Sequence, residues 1–354
     1  MPNTTYKIAI VGASSLAGKE LNEAMGESAL AASDFVLMDD EEVMGQLESV
    51  GDEATFIQRI GPRSFEHMDF VFFASHPEVT RRHWQSAVRA GASVIDLSYE
   101  LEAEAGTLVR APWVMEVFQK DRPGGHLTVA EPNLKTAAIL PAHPAALLLA
   151  LVMARLQENL PLRSVAATVL EPASQYGRAA MDELHQQTVT LLSFQNLPRE
   201  QYDAQVAFNL LPALGEEAKI RLAATEERIR RHYVEISGGR LPELALQLAH
   251  APTFHGYIAA LLVEMEEPVA ESQVEAVLQG EHVDIVLGES DPPSNLSAAG
   301  QEDILVRMRP EPPGSEKAAR FWLWIAADNL KLTALNAIAC AQELRRLRPH
   351  GKVQ

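Results

Sequence analysis

YKIAIV, residues 6–11, breaks at Gly12 into GASSLAG and continues as KELNEAMGE, whose apolar residues recur at helical spacing. A strand, a glycine-bearing turn and a helix in that order commit the chain to a βαβ beginning, because a parallel partner strand is reached only through a crossover. The pattern then repeats. DFVLMDD, DFVFFAS and ASVIDLS read as strands, with a helix through residues 81–90 between the last two. Strands alternating with helices predict an α/β, Rossmann-like, doubly wound parallel sheet.

Past residue 145 the grammar changes. PAHPAALLLALVMARL opens a helix apolar on nearly every side, SVAATVLEP reads as a strand and MDELHQQTVTLLSF as a helix. LALQLAHAPTF and YIAALLVEMEEP alternate like strands, so a second, α+β domain with a mixed sheet is expected. ESDPPSNLSAAGQED and RPEPPGSEK read as loops around the strand ILVRMR, and DNLKLTALNAIACAQELRRLR as a closing amphipathic helix. At 354 residues the chain is long for one core, in keeping with two domains.

Composition excludes several functions. Thirty basic residues against 48 acidic ones give a net charge of −18, which disfavours nucleic acid as a partner. No apolar run reaches the roughly 18 residues of a membrane span, and the start enters a strand with no secretory pattern before it. The single cysteine, Cys340, allows no intrachain disulfide and no cysteine zinc site, which fits a cytoplasmic protein. His250 and His255 lie five apart in a strand-like stretch, and His76 and His83 seven apart with no carboxylate pattern, so no metal is expected. No serine sits in a G-x-S-x-G setting.

Gly12, Ser14, Ser15, Leu16, Ala17 and Gly18 lie where a dinucleotide's pyrophosphate meets backbone N–H groups at a helix N-terminus. Ser15 stands where a middle glycine would admit the phosphates, so the turn reads equally as one kept for packing. Asp39, followed by Asp40, Glu41 and Glu42, falls at the ribose end of the second strand. A carboxylate there bonds a 2′-hydroxyl and repels a 2′-phosphate, favouring NAD over NADP, although a solvated acidic turn reads the same way.

KIAIVGASSLAGKEL, VIDLS, AEPN, GRAAMDEL, AFNLLP, PTFHGY and DNLKLTALNAI, in this order and spacing, resemble the aspartate-semialdehyde dehydrogenases over nearly the whole chain. Within that family the resemblance is to its cysteine-less paralogues. It implies a Rossmann-like NAD(P)-binding domain of residues 1–142 and 329–354, and a dimerisation domain of residues 143–328. It further implies a homodimer, NAD(P) as cofactor, and Ser75 and Asn329 as additional cofactor-binding positions. The family's enzymes work in amino-acid biosynthesis through a thioester on a cysteine.

The same resemblance implies that the chemistry is missing. The nucleophile's position falls on Pro144, whose ring suits the first turn of a helix and attacks nothing. The general base falls on Tyr257, the carboxylate-binding arginine on His250, the phosphate-binding arginine near Glu102 and the glutamine beside the thioester on Glu171. His143 has no obvious partner that would make it a replacement. The expected protein is a pseudoenzyme, a dimer that binds a nucleotide, another small molecule or a protein partner. The competing expectation is an active NAD(P)-dependent semialdehyde oxidoreductase with a relocated or noncovalent mechanism.

Overall fold

The computed structural model describes residues 5–31, 33–39, 47–50, 53–120, 129–193, 195–288 and 290–347. The chain divides into two compact units. One comprises Met1–Trp113, Thr128–Ala142 and Thr333–Gln354, the other Val114–Leu127 and His143–Leu332.

The first unit begins with β1 (Lys7–Val11), α1 (Leu16–Gly26) and β2 (Asp34–Asp39). It continues through a hairpin of β3 (Leu47–Val50) and β4 (Glu53–Phe56), then β5 (Gln58–Arg59), β6 (Phe70–Phe73) and α2 (Pro77–Arg89). β7 (Ser93–Asp96), β8 (Thr107–Arg110), the start of α3 (Pro112–Lys120) and β9 (Ala138–Pro141) complete its strands. Seven strands form one sheet in the order β5-β2-β1-β6-β7-β9-β8, every pair parallel. Both faces are covered, which explains the unbroken apolar runs. Ile8 and Ile10 pack with Leu21 and Met25 of α1, whereas Ala9, Val11, Val71 and Phe73 pack with Ala87 of α2 on the other side.

The second unit contains α4 (Pro144–Asn159), β10 (Leu162–Glu171), a 3-10 turn at Ala173–Tyr176, α5 (Arg178–Leu192) and α6 (Leu222–Ser237). β11 (Leu244–His250), β12 (Tyr257–Val269), α7 (Glu271–Leu278), β13 (Val283–Ile285), β14 (Ile304–Glu311) and β15 (Ala318–Ala327) follow. Its six-stranded sheet runs β11-β10-β12-β15-β14-β13, with β10–β11 and β13–β14 parallel and the other pairs antiparallel. α4 packs against α6 and α7 and buries every residue of its first three turns, so no polar face was needed. Register places Ala260, Leu262, Trp322 and Trp324 on one face of this sheet with Arg307 and Arg309, and Trp324 remains 40% exposed.

α8 (Asn329–Arg345) starts in the second unit and from Thr333 belongs to the first. There Ala334, Ala337, Ile338, Cys340 and Ala341 pack with Ile8, Ile10 and Phe70. Arg110, itself buried, holds the end of this helix by donating to both Glu343 oxygens while also donating to the Ala130 carbonyl.

One expected strand is shorter than its alternation implied. β11 stops at His250, and residues 251–256 form a turn because the Thr253 and Phe254 carbonyls accept from the Ala173 and Ser174 amides instead of a ladder partner. His255 therefore sits on a turn. Among the described residues no helix is long and apolar enough to cross a membrane.

Candidate functional site

In the first unit the β1–α1 turn brings Gly12, Ser14, Ser15, Leu16, Ala17 and Gly18 together. Gly12 has φ +87°, and a Cβ on it would lie 2.6 Å from the Ser75 backbone. A Cβ on Gly18 would lie 2.0 Å from the Gly12 carbonyl oxygen, so both glycines are fixed by close backbone approach. Ser15 caps α1: its hydroxyl accepts from the Gly18 amide at 2.8 Å and donates to the Ala74 carbonyl at 2.7 Å. The serine that replaces the middle glycine thus ties the turn to the end of β6.

Asp39 reaches the same turn. Its carboxylate accepts from the Ser14 amide at 2.9 Å and the Ser14 hydroxyl at 2.6 Å. Asp40, Glu41 and Glu42 lie outside the described residues. The Ser75 hydroxyl beside Gly12 is buried without a hydrogen-bond partner among the described residues. A helix N-terminus and an unsatisfied hydroxyl beside it form a cradle that fits a dinucleotide's pyrophosphate. Glu102, half-buried, lies on the turn after β7.

In the second unit β10, β11, β12, α4 and α6 converge on Glu171, which ends β10 and is completely buried. The Tyr176 hydroxyl donates to Oε2 at 2.6 Å and the Tyr257 hydroxyl to Oε1 at 3.1 Å. Burial raises the Glu171 pKa from 4.5 to about 7, against the lowering effects of the two hydroxyls and of Arg228 on α6. Tyr176 also meets the Thr225 hydroxyl of α6 at 3.1 Å.

Pro144 is the first residue of α4, buried, where its missing N–H leaves no hydrogen bond unmade. Before it, His143 caps the helix by accepting from the Ala145 amide at Nδ1, while its own amide donates to His232 Nδ1 at 2.9 Å. Its Nε2 lies 3.3 Å from Gln175 and 4.0 Å from Glu171, neighbours that the sequence did not reveal. Tyr176, Thr225, Arg228 and His232 also belong to this cluster, and no motif marks them.

His250 is fully buried with its ring 4.7 Å from that of Tyr202, and both its nitrogens lack a hydrogen-bond partner among the described residues. Burial lowers its pKa from 6.5 to about 4, leaving the ring neutral. Asn329 is buried, its Oδ1 accepting from the Ser174 hydroxyl and the Gly256 amide, both at 3.1 Å. Among the described residues no group of three or more His, Cys, Asp or Glu is placed to hold a metal ion.

Comparison with known proteins agrees with this arrangement. The model of the semialdehyde dehydrogenase NAD-binding domain matches residues 7–132, and that of the semialdehyde dehydrogenase dimerisation domain matches residues 153–332. The chain is 30% identical to the USG-1 protein homolog of Pseudomonas aeruginosa, over 95% of this chain and 97% of that protein. It is 25% identical to the aspartate-semialdehyde dehydrogenase of Rickettsia bellii, over 96% and 97% of the two. A solved structure of a probable aspartate-semialdehyde dehydrogenase from Pseudomonas aeruginosa matches with a TM-score of 0.82 at 27% identity, covering 98% of this chain and all of that one.

Proposed function

We propose, from the premise that the chain belongs to the semialdehyde dehydrogenase family, that this member has lost thioester chemistry and serves as a dimeric, cytoplasmic binding protein. The observation that carries the reading is Pro144, which the sequence resemblance aligns with the family's nucleophile. It is the first residue of a buried helix and offers no thiol, hydroxyl or amine. Around it, Glu171 is bonded at both oxygens by tyrosine hydroxyls and His250 is neutral and enclosed, so neither is arranged to receive a charged substrate. Tyr257 spends its proton on Glu171 and does not act as a base.

The cradle at Gly12–Gly18 and Ser75 would hold a dinucleotide, whose nicotinamide ring supplies hydride transfer when bound. Asp39 supports NAD over NADP, because its carboxylate already lies against Ser14 where a 2′-phosphate would add like charge. The tryptophan-bearing face of the six-stranded sheet supports self-association through the dimerisation domain. A protein partner is the other ligand class this reading allows.

A second reading, an active NAD(P)-dependent semialdehyde oxidoreductase with a noncovalent mechanism, is favoured by one observation, the approach of His143 Nε2 to Glu171. One assay separates the two. Phosphate-dependent oxidation of aspartate semialdehyde, followed by cofactor reduction, is expected to be undetectable in the wild type, and turnover above background would overturn the silent reading.

A further inference from the structure

We propose that Glu171, Tyr176 and Thr225 form a proton-operated switch, in which the direction of a hydroxyl chain reports the charge of the buried carboxyl to the first turn of α6. The chain is continuous. Glu171 Oε2 lies 2.6 Å from the Tyr176 hydroxyl, that hydroxyl 3.1 Å from Thr225 Oγ1, and Thr225 Oγ1 3.4 Å from the carbonyl of Arg221, the N-cap of α6.

Each hydroxyl has one proton to donate, so the charge of Glu171 fixes the direction of the others. With the carboxylate ionised, Tyr176 donates to it, and Thr225 turns to donate to the Tyr176 oxygen. Protonating Glu171 puts a donor on Oε2. The carboxyl O–H then donates a hydrogen bond to the Tyr176 oxygen, Tyr176 donates to Thr225, and Thr225 donates to the Arg221 carbonyl. That last bond closes a side-chain link across the first turn of a helix whose N-cap side chain makes no capping hydrogen bond to it. The proton enters from and returns to solvent, and no other covalent bond is made or broken.

Arg228, one turn further along α6, acts in the opposite sense, since its charge favours the ionised carboxylate. α6 therefore carries one group that follows each state. The other groups around Glu171 are Tyr257 on β12, His143 at the N-cap of α4 with His232 of α6 behind it, and His250 on β11 with Tyr202 against its ring. Burial raises the hydroxyls of Tyr176 and Tyr202 and keeps His250 neutral, so these three hold their charge while Glu171 titrates. With the Glu171 pKa at about 7, both states are populated at neutral pH. The switch is independent of whether the protein turns over a substrate.

The test is infrared spectroscopy of the protonated-carboxyl band, assigned by its loss in Glu171→Gln and followed from about pH 5 to about pH 9, with hydrogen exchange of the Thr225 and Glu226 amides. The band should disappear with a midpoint near neutrality, and amide protection, corrected for intrinsic exchange, should fall at least about threefold over the same range. Tyr176→Phe should raise the midpoint, because a donor to the anion is lost, and should abolish the linked change in α6. Thr225→Val should abolish the linked change with the band retained, and it serves where Tyr176→Phe does not fold. A Glu171 band that does not titrate in this range would overturn the proposal, as would wild-type pH dependence of α6 protection in Thr225→Val.

Discussion

Glu171 and His250 are register partners on the parallel strands β10 and β11, and burial moves their proton affinities in opposite directions. Glu171 is raised from 4.5 to about 7, so its contribution to stability is complete below pH 4.5 and is lost as pH rises through about 7. His250 is lowered from 6.5 to about 4, so its contribution is complete above pH 6.5 and is lost as pH falls through about 4. Each is worth about 3 kcal/mol in full. The two slopes oppose one another across mildly acidic pH. Glu171→Gln should leave stability near pH 4.5 almost unchanged and raise it by up to about 3 kcal/mol near pH 8. Urea unfolding at both pH values measures this, and an equal effect at the two would refute the assignment.

Cofactor choice should depend on Asp39. Its carboxylate already takes both donors of Ser14, and a 2′-phosphate would meet that charge. Calorimetry should find NAD bound at least about tenfold more tightly than NADP, a difference of about 1.4 kcal/mol, with Asp39→Ser narrowing the gap. Tight NADP binding by the wild type would contradict this.

Restoring a thiol alone should restore nothing. Pro144→Cys would leave Tyr257 bonded to Glu171 and His250 uncharged, and groups that act as a unit do not contribute separately. The triple change Pro144→Cys, Tyr257→His, His250→Arg is the informative variant, assayed for phosphate-dependent oxidation of aspartate semialdehyde. Activity in the single variant comparable to the triple would show that the alignment of the base and the arginine is wrong.

Trp324 is a large apolar residue left 40% exposed in the middle of a sheet face, opposite Ala260 and Arg307. If that face is the dimer contact, light scattering should give a dimer for the wild type and a monomer for Trp324→Glu, since a buried unpaired charge costs several kcal/mol. A wild-type monomer, or an unchanged mass in the variant, would place the contact elsewhere.

The parallel sheet was legible because strands buried on both faces leave runs such as FVFF, and α4 because an entirely buried helix needs no polar stripe. Pro144, Tyr257 and His250 could be named as candidates from the sequence because each lies in a short motif with fixed spacing. The cluster around Glu171 was not. Tyr176 meets Thr225 across 49 residues and His143 meets His232 across 89, and on α6 these partners follow the spacing of any amphipathic helix. The turn at residues 251–256 read as strand for a related reason: its carbonyls are diverted to Ala173 and Ser174, a tertiary choice that leaves no trace in alternation.

The glycines of the β1–α1 turn bear on how such chains are interpreted. A side chain at Gly12 would strike the Ser75 backbone, and one at Gly18 would strike the carbonyl of Gly12, with no ligand present in either collision. Both are therefore demanded by folding alone. A library randomised through this turn and selected only for expression of folded protein would return glycine at both positions, whatever happened to nucleotide affinity. The informative letters are the ones between them: drift at Ser14, or at Asp39 which holds it, would record the loss of a ligand long after the glycines had ceased to say anything about one.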